Sequence, residues 1–333
     1  MTVTLQDVAE VAGVNLSTAS RALSGTGRIS PETRAKVKKI AQELGYQPNQ
    51  SARILAGKKS RLISFVVPEI DSGYFAKLIY FVEMKLQERG YSLIIANSQF
   101  IAEKEAKAIE TFANNNVDGI FIASSINFEN HKIIQKVKDE TNIAVVLLEA
   151  LANHEDYNYV MIDDTCGMEK SIEYLLGKGH KKIGFISDPI LDLIRKPMYI
   201  EALRRNNLNE KDHPLISHPS LRYEQAGYEV MNRFLDMPDM PTAILAGYDD
   251  LAIGAIRAIE DRGLHVPEDV AIIGNDDIRQ APYLNKKLTT LSPPVEKMAE
   301  LGVELMLGVI ENKDKDVVHH IVLKPNLIIR ETT

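Results

Sequence analysis

TLQDVAEVAGVNLSTASRALSG, residues 4–25, decides how the rest of the chain is read. Thr4 is a helix N-cap, and Leu5, Val8, Ala9 and Ala12 recur at helical spacing behind it. Gly13 breaks that helix, since only glycine turns so tightly at no steric cost. Asn15 caps a second helix from Leu16 to Leu23, closed by Ser24-Gly25. Ser30-Pro31-Glu32 opens a third, carrying Val37, Ile40, Ala41 and Leu44 and ending at Gly45. A helix, a short glycine turn and a small second helix make a helix-turn-helix, whose second helix enters the major groove of DNA. Leu16, Ser17 and Thr18 begin that helix and Arg21 follows one turn on. Leu16 is apolar where a buried residue is not needed, which suits a thymine methyl. Arg21 suits guanine or a phosphate.

Charge divides along the same line. The chain of 333 residues carries −7 overall. Residues 1–61 hold five lysines and five arginines against Asp7, Glu10, Glu32 and Glu43, a balance of +6, which leaves −13 on the remainder. A basic head on an acidic body is expected when only the head meets a polyanion. The single cysteine, Cys166, excludes an internal disulfide framework and is expected in a core. No basic start with a long apolar run marks a signal peptide, and no apolar stretch approaches a membrane helix, so a cytoplasmic location without membrane contact is expected.

From Leu62 onward apolar runs alternate with helical patterns. The expected strands are Leu62–Val67, Leu93–Ala96, Ile120–Ala123 and Ala144–Leu148, then Val160–Ile162, Ile183–Ile186, Ile244–Ala246 and Val270–Ile273. Phe75, Leu78, Ile79, Val82 and Leu86 mark one intervening helix, and Ala106 to Phe112 another. Further helices are expected near Gly167–Leu176, Tyr199–Leu203, Ala226–Phe234 and Asp250–Glu260. Such alternation indicates an α/β body of βαβ units with parallel sheets. RLISFVVPEI at 61–70 and KIGFISDPI at 182–190 are alike, which points to two similar Rossmann-like lobes. Ligands of such sheets bind beyond the carboxyl ends of the strands. The positions there are polar: Glu69-Ile70-Asp71, Ser124-Ser125, Glu149, Asp188, Gly247-Tyr248-Asp249 and Asn275-Asp276-Asp277.

The head, continued by ISPETRAKVKKIAQELGYQPNQSARILAGKKS at 29–60, resembles the DNA-binding module of the lactose/galactose repressor family without a gap. LLGKGHKKIGFIS, PTAILAGYDDLAIGAIRAI, GLHVPEDVAIIGNDD and LTTL carry the resemblance through the body. It implies a bacterial transcriptional regulator, expected to repress carbohydrate-utilisation genes. The all-α helix-turn-helix head, residues 1–48, would join a hinge at 49–60. A periplasmic-binding-protein-like body would follow, with one lobe at 61–161 plus 292–323 and the other at 162–291 plus 324–333. The resemblance makes NQSARILA, 49–56, a helix that folds on the operator and wedges Leu55 between central base pairs, at a cost of a few kcal/mol in unstacking. The expected DNA contacts are Thr4, Leu5, Leu16, Ser17, Thr18, Arg21, Asn49, Ala52, Arg53, Leu55 and Lys58, with Lys59 a further phosphate contact.

For the effector, the resemblance aligns Arg195 and Asp276 with groups that bind sugar hydroxyls, and Glu149 with a polar reader. Tyr74 and Phe75, on the loop after the first strand, are placed to stack on a sugar ring. Arg222 and Tyr248 depart from the family pattern, as do Pro197-Met198: an asparagine is usual where Tyr248 stands, and an aromatic residue often replaces Arg222. Arg195, Lys196 and Arg222 together leave a phosphorylated or acidic sugar open beside a neutral one. No long heptad tail is present, so a homodimer on a pseudo-palindromic operator is expected. No cofactor, metal site or catalytic group is expected: Gly25-Thr26-Gly27 precedes a helix of the head instead of following a strand, so the dinucleotide fingerprint is missing. Two rival readings stand beside this one: a solute-binding protein, which the basic head opposes, and a global catabolite regulator whose corepressor is a phosphorylated carrier protein.

Overall fold

A computed structural model describes residues 3–25, 27–46, 59–123, 130–149, 155–311 and 317–333. The chain divides into two compact units, Met1–Ser60 and Arg61–Thr333. Asn49, Ala52, Arg53, Leu55 and Lys58 lie outside the described residues, as do Ser124 and Ser125.

In the first unit α1 is Leu5–Ala12, α2 Leu16–Ser24 and α3 Pro31–Glu43. Each begins on the cap that its sequence offers. Thr4 and Asp7 form a reciprocal capping box, Asn15 accepts from the Thr18 amide at 2.8 Å, and Ser30 accepts from Thr33 with Pro31 at the first helical position. Gly13 closes α1 in the left-handed region, at φ 66°. Val8, Ala9, Ala12, Ala19, Ala22, Val37 and Ala41 form the core. The small residues of α2 let it lie close against its neighbours.

The second unit holds two six-stranded sheets. The first contains β1 Leu62–Val67, β2 Ser92–Asn97, β3 Gly119–Ile122, β4 Ala144–Leu148, β5 Asn158–Ile162 and β11 His320–Leu323, in the order β2-β1-β3-β4-β5-β11 and parallel throughout. The second contains β6 Ile183–Ser187, β7 Leu215–Ser217, β8 Ala243–Ala246, β9 Ala271–Asn275, β10 Thr289–Ser292 and β12 Asn326–Ile328. Its order is β7-β6-β8-β9-β10-β12, and β12 alone is antiparallel. The chain passes between sheets after β5, after β10 and between β11 and β12. Helices cover both faces of each sheet, which is why the central strands read as unbroken apolar runs. The order with β1 inside β2 is doubly wound, and it leaves a crevice beside β1 where the winding reverses.

Tyr74 and Phe75 are not on a loop. They occupy the first turn of the helix Gly73–Glu88, because Ser72 caps it and accepts from the Phe75 amide. Cys166 also departs from expectation. It is only partly buried, in the first turn of the helix Asp164–Gly177, where its amide donates to Asp163 at 3.0 Å. No helix among the described residues is long and apolar enough to cross a membrane.

Candidate functional site

In the head, α2 turns Ala19 and Ala22 inward and leaves Leu16, Ser17 and Arg21 exposed. Leu16 is 51% exposed, although it is the most apolar residue of its turn. A leucine held in water at a helix start gains nothing from the fold, so it is available to a partner. Val11 on α1, 59% exposed, shares this property and was not singled out by the sequence. Thr18 is half-buried beneath the Asn15 cap, and Ser17 Oγ donates to Asn15 at 2.8 Å. Leu5 packs against the head's core, and the Thr4 hydroxyl donates to Asp7.

In the body, one cleft lies beyond the carboxyl ends of both sheets. All seven residues expected to meet an effector line it: Tyr74, Phe75, Glu149, Arg195, Arg222, Tyr248 and Asp276. Residues that follow β1, β2, β3 and β4 supply one wall, and those that follow β5, β6, β7, β8 and β9 the other.

Arg195 starts the helix Arg195–Arg205 and is fixed on three sides. Nε donates to Asp164 at 3.2 Å, Nη2 to Asp276 at 2.8 Å, and Nη1 to the Gly247 carbonyl. This is a buried ion network, not the surface pair that a lone arginine so often makes. Asp276 pays for its burial with a carboxyl pushed up to about 6, despite the opposing pull of Arg195. Glu149 bonds the Tyr74 hydroxyl. Burial first, then the charge of Asp164, pushes its carboxyl up to about 8, against the Tyr74 bond and Arg195.

Arg222 joins the two walls. Its Nε donates to Asp188 at 3.1 Å within its own lobe, and its Nη1 donates to Glu69 across the cleft at 2.6 Å. The Tyr223 hydroxyl donates to the same Glu69 oxygen at 2.7 Å. The guanidinium also lies over the rings of Phe100, at 5.2 Å, and Tyr223, at 4.8 Å. Tyr248 does more than narrow the pocket: its hydroxyl donates to Asp188 at 2.6 Å and accepts from the Tyr223 amide at 2.8 Å. Lys196 stands apart from the cleft, 3.9 Å from Asp192 in the turn that precedes its helix. Asp277 also turns elsewhere, pairing with Arg330 at 2.7 Å and accepting from Ser292.

Phe100, Asp164, Tyr223 and Asp250 line the cleft without having been chosen from the sequence. Each follows a strand by a few residues, which was the signal available. Asp249, in the same polar run, is fully buried. It accepts from the Ile278 amide at 2.8 Å and from Thr290, tying three loops of the second lobe together.

A helix-turn-helix reader together with a two-lobed α/β body around a polar cleft defines a DNA-binding regulator that responds to an effector. The signature of bacterial regulatory proteins of the lacI family matches residues 4–49, and that of the periplasmic binding protein-like domain matches residues 172–333. The HTH-type transcriptional repressor PurR of Photorhabdus laumondii is 31% identical over 99% of this chain and 96% of its own length. Catabolite control protein A of Priestia megaterium is 30% identical over 95% of each chain. Among solved structures, the Lac repressor dimer bound to operator and the anti-inducer ONPF superposes with a TM-score of 0.85 at 25% identity, over 100% of this chain and 99% of that one. The transcriptional regulator CelR in complex with cellobiose gives 0.70 at 27% identity, over 99% of this chain and 100% of that one. The chain belongs to the lacI family of bacterial regulatory proteins. It is a DNA-binding transcriptional repressor and not an enzyme.

Proposed function

We propose that this repressor acts as a homodimer in the cytoplasm, binds a pseudo-palindromic operator of carbohydrate-utilisation genes, and is switched by a sugar or sugar derivative in the interlobe cleft. One observation carries the effector reading: seven residues from six separate loops and helix starts, chosen for hydroxyl recognition and stacking, line a single cleft. The similarity to a cellobiose complex and to an operator-bound dimer supports the sugar and the dimer. In this reading Thr4, Leu5, Leu16, Ser17, Thr18 and Arg21 meet the major groove and its phosphates. Asn49, Ala52, Arg53, Leu55 and Lys58 serve the hinge, with Leu55 as the wedge. The domain limits are those given by the sequence.

The switch is a population shift. A ligand moves operator affinity only by as much as it prefers one lobe arrangement over the other. A coupling of about 1–3 kcal/mol changes that affinity roughly 5–150-fold. The Arg222–Glu69 bridge spans the two walls, so opening the lobes would have to break it.

The experiment is an operator-binding titration of Arg195→Ala with and without a stabilising sugar. The expected result is operator affinity within a few-fold of the parent and loss of the ligand response. Phe75→Ala, which removes no ion pair, serves as the second variant. A normal dose response in both would place the effector elsewhere. A phosphorylated carrier protein, titrated separately, tests the corepressor alternative.

A further inference from the structure

Both arginines of the cleft already face two carboxylates apiece. Arg195 is held between Asp164 and Asp276, and Arg222 between Glu69 and Asp188. Glu149 and Asp250 add two more acids to the lining, and among the described residues no other arginine and no lysine lines it. Among the described residues, six carboxyl groups therefore stand against two guanidiniums. Lys196, the neighbouring cation in sequence, is engaged with Asp192 and does not reach the cleft.

This balance sets what the cleft recognises. Glu149, raised to about 8, holds a proton at neutral pH and carries no charge there; the other five acids, when ionised, only accept hydrogen bonds, so they reward a ligand rich in donors. Hydroxyls and ammonium groups are donors. A phosphate or carboxylate on the ligand is acceptor-only, and it would have to displace an acid from a guanidinium or lie against Asp250. Either course sets like charges together where little water screens them. The rings of Phe75, Phe100 and Tyr223 add apolar faces that suit the C–H side of a sugar ring and do not suit an anion. The carboxyls of Glu149, Asp250 and Asp276 are all displaced upward, with burial the first cause and neighbouring acids contributing to each.

We infer that the cleft selects by charge, taking a hydroxyl-rich ligand that carries no phosphate or carboxylate and tolerating an ammonium in place of one hydroxyl. This rests on the cleft being the effector site. It also decides between the neutral and the phosphorylated or acidic sugars that the sequence left open.

The test uses the full chain and matched probes: neutral aldoses and polyols, their amino derivatives, their phosphate esters and their uronic acids, with inorganic phosphate alone. Thermal shift identifies binders, and titration calorimetry ranks them. The expected outcome is a neutral or amino sugar that stabilises the protein, with its phosphate and uronate bound roughly 100-fold more weakly or not at all. A phosphate ester or uronate that binds more tightly than its neutral parent would overturn the charge rule while leaving the cleft as the effector site. If no probe of any class shifts the melting point, the sugar-effector reading falls and the inference with it. Asp250→Asn, assayed near pH 7 where Glu149 is already uncharged, should narrow the discrimination by at least about tenfold; an unchanged ratio also overturns the inference.

Discussion

At the scale of single residues the cleft is under tension. Glu149, Tyr223 and Asp276 have φ of 60°, 58° and 107°, in a region that side chains other than glycine rarely adopt. Such strain collects where surrounding structure holds residues for function. Glu149 adds an electrostatic cost. Its folded carboxyl titrates near 8, well above the usual 4.5, so the folded state holds a proton that the unfolded chain has released. Stability from this group is therefore intact below about pH 4.5 and declines as pH rises towards 8. Glu149→Gln keeps an acceptor for Tyr74 and removes the titration. Thermal melts across pH should show the variant close to the parent at pH 5 and above it by at least ~3 °C at pH 8.5; a gap that does not widen with pH would contradict this. None of the strain was legible in the sequence. The identities of Arg195, Asp276 and Glu149 came through family resemblance, whereas the pairing of Arg195 with Asp164 and of Arg222 with Asp188 and Glu69 depends on loops that meet only in the fold.

At the scale of elements, the walls of the cleft depend on how helices approach one another. The helices Tyr223–Leu235 and Asp249–Asp261 nearly touch along their backbones. A Cβ on Gly254 would lie 1.9 Å from the Glu224 carbonyl oxygen, and one on Gly227 2.1 Å from that of Leu251. This close approach seats Tyr223 and Tyr248, at or just before the helix starts, on opposite sides of one hydrogen bond. Gly254→Ala must push the helices apart. We expect it to cost about 1–3 kcal/mol or more in chemical denaturation and to weaken effector binding; an unchanged midpoint would show that the helices have room. The central strands were legible because helices bury both their faces, which leaves uninterrupted runs of Val, Ile, Leu and Phe. The edges were not. β7 is three half-buried residues, β12 is three residues, and β11 includes His320 and alternates between exposed and half-buried. The helix Val295–Ile310 does carry a regular stripe, with Val295, Met298, Ala299, Gly302, Val303 and Met306 buried, but its two glycines and dense apolar content blur a polar face.

At the scale of the whole molecule, the charge split is the feature that composition alone revealed. A head of +6 carries the affinity for DNA, while a body of −13 is repelled by it, so binding is directed to one end of the chain. Recognition of a duplex by such a head releases counterions, and affinity should fall steeply as salt rises. Specific recognition adds a preference for one sequence over others, which Leu16, Ser17 and Arg21 are placed to supply. The most direct measurement is competitive binding of the full chain to fragments of its own genome and to random duplex of equal length, at two salt concentrations and with candidate sugars. The account predicts at least one fragment preferred about 1,000-fold over random duplex, with affinity lost as salt is raised and shifted by a neutral sugar. Equal affinity for every fragment under all these conditions would contradict it.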